Sequence, residues 1–155
     1  FGMSGGGMSM MKLSSQAKKD PAAVLPLIEK ELEKDPANDQ ANELLFDVAI
    51  KLELPETAAF ALETVRTHAP ENIKLLHKLA EFYSVNNDPN KAVEVYNDII
   101  KQNPTDSAAI KGAKDCSARA SMQKQRWDEN TSLKDLMRNS EENAELEQAA
   151  RTGLT

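Results

Sequence analysis

The feature that most constrains this chain is the spacing of its prolines. Pro21, Pro55 and Pro89 stand 34 residues apart, and so do Pro36, Pro70 and Pro104, which places six of the seven prolines on one period. Each pair brackets a helix-sized segment: 21–36, 55–70 and 89–104. Proline suits the first turn of a helix, where its missing N–H costs nothing, and it disfavours helix just before itself. A doubled ladder therefore predicts the same helix opened and closed three times. A fixed period of this length is the signature of stacked repeat units.

Between the rungs the apolar residues fall at helical spacing. Val24, Leu25, Leu27, Ile28 and Leu32 form one stripe, with Pro26 inside the opening turns. A helix from Asn38 or Asp39 to about Leu54 carries Ala41, Leu44, Leu45, Val48, Ala49 and Leu52. Pro55 opens a helix with Ala58, Ala59, Ala61, Leu62 and Val65; Asn72 precedes one with Ile73, Leu76, Leu79, Ala80, Phe82 and Tyr83. The turn Asn86-Asn87-Asp88-Pro89 leads into Ala92, Val93, Val95, Tyr96, Ile99 and Ile100. Asp20, Asn38 or Asp39, Asn72, and one of Thr105, Asp106 and Ser107 are the expected N-caps, because short polar side chains accept hydrogen bonds from first-turn N–H groups.

The next rung would fall at Gln123 and is absent. A helix rich in small residues (Ala108, Ala109, Ile110, Gly112, Ala113, Cys116, Ala120) is expected to run toward Trp127. A new helix is expected to start at Thr131 or Ser132. Residues 128–155 hold seven acidic and three basic side chains. Trp127 is expected to pack on the last repeats. Trp127, Leu133, Leu136 and Met137 are the alternative interface, should the tail dock on a partner or a second copy.

The phase of these residues resembles the tetratricopeptide repeat family. In 73–106 the resemblance is carried by Leu76, Leu79, Ala80, Tyr83, Ala92, Tyr96, Ile99 and Pro104. In 39–72 it is carried by Asn42, Leu45, Ala49, Ala58, Leu62, Val65 and Pro70, with Phe46 standing where the family has a small residue and implying a wider helix contact. The window 5–38 matches only through Val24, Ile28 and Pro36. The resemblance implies an all-α helical-hairpin solenoid of about three repeats, a capping helix and an acidic helical tail. The expected organisation is a flexible Gly/Ser/Met segment at 1–11, repeats over 12–106 with 5–38 degenerate, a capping helix at 107–127 and the tail at 128–155. Met8–Lys19 is a degenerate first helix or, given Lys12, Lys18 and Lys19, an amphipathic membrane-surface helix.

Tetratricopeptide arrays bind peptides or helices along the concave face lined by their first helices. Position by position, the resemblance implies a groove of Gln40, Glu43, Asp47 and Lys51, then Lys74, His77, Lys78 and Glu81, then Lys111, Asp115 and Arg119. The expected function is a non-catalytic scaffold or adaptor. The alternative is an assembly subunit that self-associates through its C-terminal helix and tail. The acidic second repeat and basic third repeat predict a partner segment of mixed charge and oppose the chaperone-type carboxylate clamp, despite Lys74 and Lys78.

Other chemistry finds little support. The net charge of −6 disfavours nucleic acid, whose binding rests on a basic surface. No apolar run has the length of a membrane span. Cys116 is the only cysteine, which suits a reducing compartment such as the cytoplasm and a buried structural thiol. His77 has Glu81 as its one metal-sharing neighbour at helical spacing, too little for a metal site. No cofactor, metal or catalytic residue is expected. The chain opens on Phe1 and reads as part of a longer protein.

Overall fold

The computed structural model describes residues 2–153, with side chains over 10–150. Among these residues the order is α1 (Gly2–Lys19), α2 (Pro21–Lys34), α3 (Asp39–Lys51), α4 (Pro55–His68), α5 (Ile73–Val85), α6 (Pro89–Gln102) and α7 (Ser107–Gly153), with no strand. The chain divides into two compact units, Phe1–Cys116 and Ser117–Thr155.

In the first unit, adjacent helices pack in sequence through short turns: α1 with α2, α3 with α4, α5 with α6. Pro21, Pro55 and Pro89 open α2, α4 and α6, and Pro36, Pro70 and Pro104 follow their C-caps Asp35, Ala69 and Asn103. The caps keep the same period. Asn38, Asn72 and Asp106 accept from Ala41, Leu75 and Ala109 N–H at 3.0, 3.2 and 3.0 Å. Asp20 and Asp88 accept from Ala23 and Lys91 N–H at 3.3 and 3.4 Å. Leu54 holds the equivalent rung before α4, and no side chain caps that helix.

Small residues sit where helices cross: Ala41, Ala49, Ala58, Ala61, Ala80, Ala92 and Ala109 are fully buried. Ile28, Leu62, Leu76, Leu79 and Ile99 fill one continuous core between them. Each such side chain contributes about 1.5–3 kcal/mol on burial, and stacking closes a core that a single helix pair would leave half open. Asn42 is the one buried polar residue of the described core, and it donates to Pro36 and Asn38 carbonyls at 3.1 and 3.0 Å, tying the inter-repeat turn to α3.

Three expectations are corrected, one at the N-terminus and two in α7. Residues 2–11, expected to be a flexible segment, are helical within α1. The anchor is the C-terminal half of that helix, where Leu13 and Ala17 are buried in the core and Met10 packs against it. No new helix begins at Thr131 or Ser132, since α7 continues through both. Neither residue is followed by a proline or glycine that would interrupt the preceding turns, and a capping residue alone does not end a helix. Trp127, expected to be packed, is 69% exposed. Among the described residues, no helix is long and apolar enough to cross a membrane.

Candidate binding groove on the first unit

Four of the eleven polar residues expected to line the groove, Glu43, Asp47, Lys74 and Lys78, come together, as pairs within the array. Lys78 on α5 reaches back to α3, donating to Asp47 at 2.7 Å and Glu43 at 3.2 Å. Lys74 lies 3.5 Å from the same Glu43 carboxylate. The opposed signs of the two repeats are thus spent on each other across the α3–α5 seam. Burial pulls the Lys78 ammonium toward neutrality, but the hydrogen bonds it donates to Asp47 and Glu43 outweigh it and raise its pKa above the usual 10.5.

His77 does not partner Glu81. Its Nε2 lies 2.7 Å from Asp106 Oδ2, so the residue that caps α7 also ties that helix to α5. The His77 hydrogen bond, followed by the Ala109 N–H, lowers the Asp106 pKa below 3.8. Gln40 and Lys51 lie exposed at the two ends of α3, and Lys111 and Asp115 are exposed on the first turns of α7. Arg119 belongs to the second unit. Among the described residues no cluster of three or more His, Cys, Asp or Glu side chains is arranged to hold a metal. Cys116 is buried.

Sequence reasoning missed the apolar half of this face. Phe46, Ile50, Leu54 and Pro55 from the second repeat, with Phe82 and Val85 from the third, line an open pocket of about 650 Å³. Phe46 meets Phe82 of the next repeat edge to face with centroids 5.6 Å apart, and Lys78 Nζ lies 5.2 Å above its ring. These contacts lock the floor, because ring pairs and a cation over a ring are favourable beyond area alone. Ile50 and Val85 form the lip, 45% and 78% exposed. Glu53, Lys78, Glu81 and Asn86 make the rim.

The pocket coincides with a departure from the repeat. The turns after α3 and α5 share one geometry, with Glu53 and Asn87 at φ of 57° and 62°. Both are closed by the next N–H, from Leu54 to the Ala49 carbonyl at 2.8 Å and from Asp88 to the Tyr83 carbonyl at 2.9 Å. Asparagine tolerates the left-handed region; glutamate adopts it at a cost. The third repeat has Asn87-Asp88-Pro89, suited to the turn and to the cap. The second has Glu53-Leu54-Pro55, suited to neither, and all three line the pocket. That mismatch against the 34-residue register was the signal in the sequence.

A model of the tetratricopeptide repeat family matches residues 49–115, which include the α3–α6 turns and both lips of the pocket. Over these residues the repeats are similar to tetratricopeptide repeats. Two solved structures of the MamA protein share the fold. One has a TM-score of 0.59 at 17% identity, covering 75% of this chain and 64% of MamA, so the chain spans less than two thirds of that protein. A MamA D159K mutant gives 0.57 at 13% identity, over 76% of this chain and 69% of that one. An O-GlcNAc transferase mutant from Thermobaculum terrenum gives 0.51 at 16% identity, over 71% of this chain and 22% of the transferase. No curated protein matches at a significant level. Tetratricopeptide arrays serve in general as scaffolds for protein partners and are typically not themselves catalytic.

Proposed function

We propose that this chain is a non-catalytic scaffold that holds a segment of a protein partner through the pocket between α3 and α5. One observation carries the reading. At Glu53-Leu54 the second repeat gives up both the turn residue and the cap that the third repeat keeps, and what it gains there is apolar lining. Strain retained beside a cleft is a pointer to function, since nothing in the array's stability requires it.

The chemistry of the pocket supports a partner segment of a particular kind. A floor of Phe46 and Phe82 with an aliphatic lip takes one or two large apolar side chains, the anchor pattern of peptide recognition. Lys74 and Lys78 are already matched by Glu43 and Asp47, so the mixed charge of the groove narrows at the rim to Glu53 and Glu81. The favoured segment carries an apolar anchor flanked by Lys or Arg, because complementary rim charges steer and select partners.

A displayed peptide library selected on the wild-type chain tests this. Enriched peptides are expected to carry a large apolar residue beside a basic one, and to lose binding to the Ile50→Ser/Val85→Ser variant. Both positions are exposed enough for the substitutions to leave the fold intact. Equal retention by wild type and variant overturns the assignment.

A further inference from the structure

The second unit poses a separate question. From Lys124 to Ala150 every residue of α7 is exposed, a run of roughly 40 Å at about 1.5 Å per residue. A helix draws most of its stability from a packed face, and one without such a face is marginal. Its internal charge pairs compensate little: Arg138 meets Asp135 at 3.0 Å one turn away, but exposed pairs of this kind are worth only about 0.2–0.5 kcal/mol each. Residues 117–127 carry Arg119, Lys124 and Arg126 and no acid, whereas 141–150 carry Glu141, Glu142, Glu145 and Glu147 and no base. Glu141 and Glu145 repel at i,i+4, and the acidic end is the C-terminal end, opposite to the polarity a helix dipole favours.

A seam runs along this helix at alternating steps of four and three: Met122, Arg126, Glu129, Leu133, Leu136, Ser140, Asn143, Glu147, Ala150. That spacing is the heptad seam along which two helices pack. Its apolar centre is Leu133 and Leu136 with Met137 beside them, all three more than half exposed. The outer positions are polar and opposite in sign at the two ends. In a parallel pair Arg126 would face Arg126, Glu129 would face Glu129 and Glu147 would face Glu147. In an antiparallel pair with its two-fold axis at Leu136, Leu136 meets its own copy and Glu129 meets Asn143, while Leu133 comes within one residue of Ser140 and Arg126 within one residue, about 1.5 Å along the axis, of Glu147. The basic stretch of each helix then lies along the acidic stretch of the other.

We propose that residues 122–150 are a self-association element, pairing antiparallel with the same segment of a second copy about Leu136. The occupant is another copy of this chain because the seam complements itself. Symmetry doubles each contact, so two Arg126–Glu147 pairs form at once. With a short apolar centre the dimer is weak and salt-sensitive.

Sedimentation equilibrium of the full chain is expected to show a concentration-dependent dimer. Arg126→Glu weakens it by about tenfold, and adding Glu147→Arg restores it. Orientation is read by disulfide trapping in a Cys116→Ala background: Leu136→Cys is expected to cross-link to its own copy and Met122→Cys is not. A chain monomeric at every concentration, or cross-linking of Met122→Cys as readily as Leu136→Cys, overturns the proposal. So does a dimer indifferent to Arg126→Glu. Far-UV circular dichroism of each variant separates loss of pairing from loss of fold.

Discussion

Writing the third repeat's turn into the second separates stability from binding at single residues. Glu53 holds φ at 57°, where an ordinary residue pays about 1–2 kcal/mol and asparagine less, so Glu53→Asn should stabilise the array by about 0.5–1 kcal/mol. Leu54→Asp supplies the missing cap of α4, worth about 1 kcal/mol. It also removes a leucine that is 38% exposed; about three-fifths of a full burial worth about 1.5–3 kcal/mol is then lost, roughly 1–2 kcal/mol. The two terms nearly cancel, and Leu54→Asp should lie within about 1 kcal/mol of wild type, on the destabilised side. Urea titration followed by circular dichroism measures both, with an unchanged m-value showing that the comparison is of stability alone. Binding of a selected peptide, by contrast, should fall by tenfold or more with Leu54→Asp, since losing about 1.4 kcal/mol of anchor contact is one decade in Kd. A destabilisation beyond about 3 kcal/mol would make Leu54 a core residue, against the near-cancellation of the two terms. Unchanged peptide affinity would refute the link between the irregular turn and the pocket.

Three further outcomes follow from the packing and the pairs. Ala92 is fully buried at a helix crossing, so Ala92→Leu should cost about 1–3 kcal/mol by overpacking, seen as a lower urea midpoint. A Cβ added at Gly112 would stand 2.7 and 2.8 Å from two Tyr96 ring carbons; Gly112→Val should destabilise despite the helix propensity gained, and combining it with Tyr96→Leu should recover part of the loss. The lowered Asp106 pKa makes its contribution fully present above pH 3.8 and lost as pH falls through the lower folded value; Asp106→Asn should flatten the stability profile in that acid range, with a wild-type slope below pH 4 indicating no such linkage.

The repeat architecture was legible because one local device recurs. Proline at the first turn, proline past the last and a short polar cap fix helix ends with little help from tertiary structure. Asn38, Asn72 and Asp106 confirm it by capping in register. The groove was legible only as a set of positions. Helical phase put Glu43, Asp47 and Lys78 on one face, but whether they await a partner or bind each other depends on distances between repeats. At 2.7 and 3.2 Å they bind each other. His77 was read against neighbours on its own helix, and its partner Asp106 lies 29 residues on, close to one repeat away. The pocket was hidden for a related reason: Phe46 was judged by the small residue expected at its position, while its contact, Phe82, belongs to the next repeat. Inter-repeat distances follow from how the units stack, which residue periodicity does not encode.

The central question is which apolar surface of the repeats a partner uses. Ile50 and Val85 edge the pocket, whereas Phe60, 68% exposed, lies on α4 outside it. Calorimetric titration of one selected peptide into wild type, Ile50→Ser/Val85→Ser and Phe60→Ser decides between them. At least tenfold weaker binding is expected for the first variant, wild-type binding for Phe60→Ser, and unchanged unfolding midpoints throughout. Loss of binding with Phe60→Ser and retention with Ile50→Ser/Val85→Ser would contradict the pocket assignment.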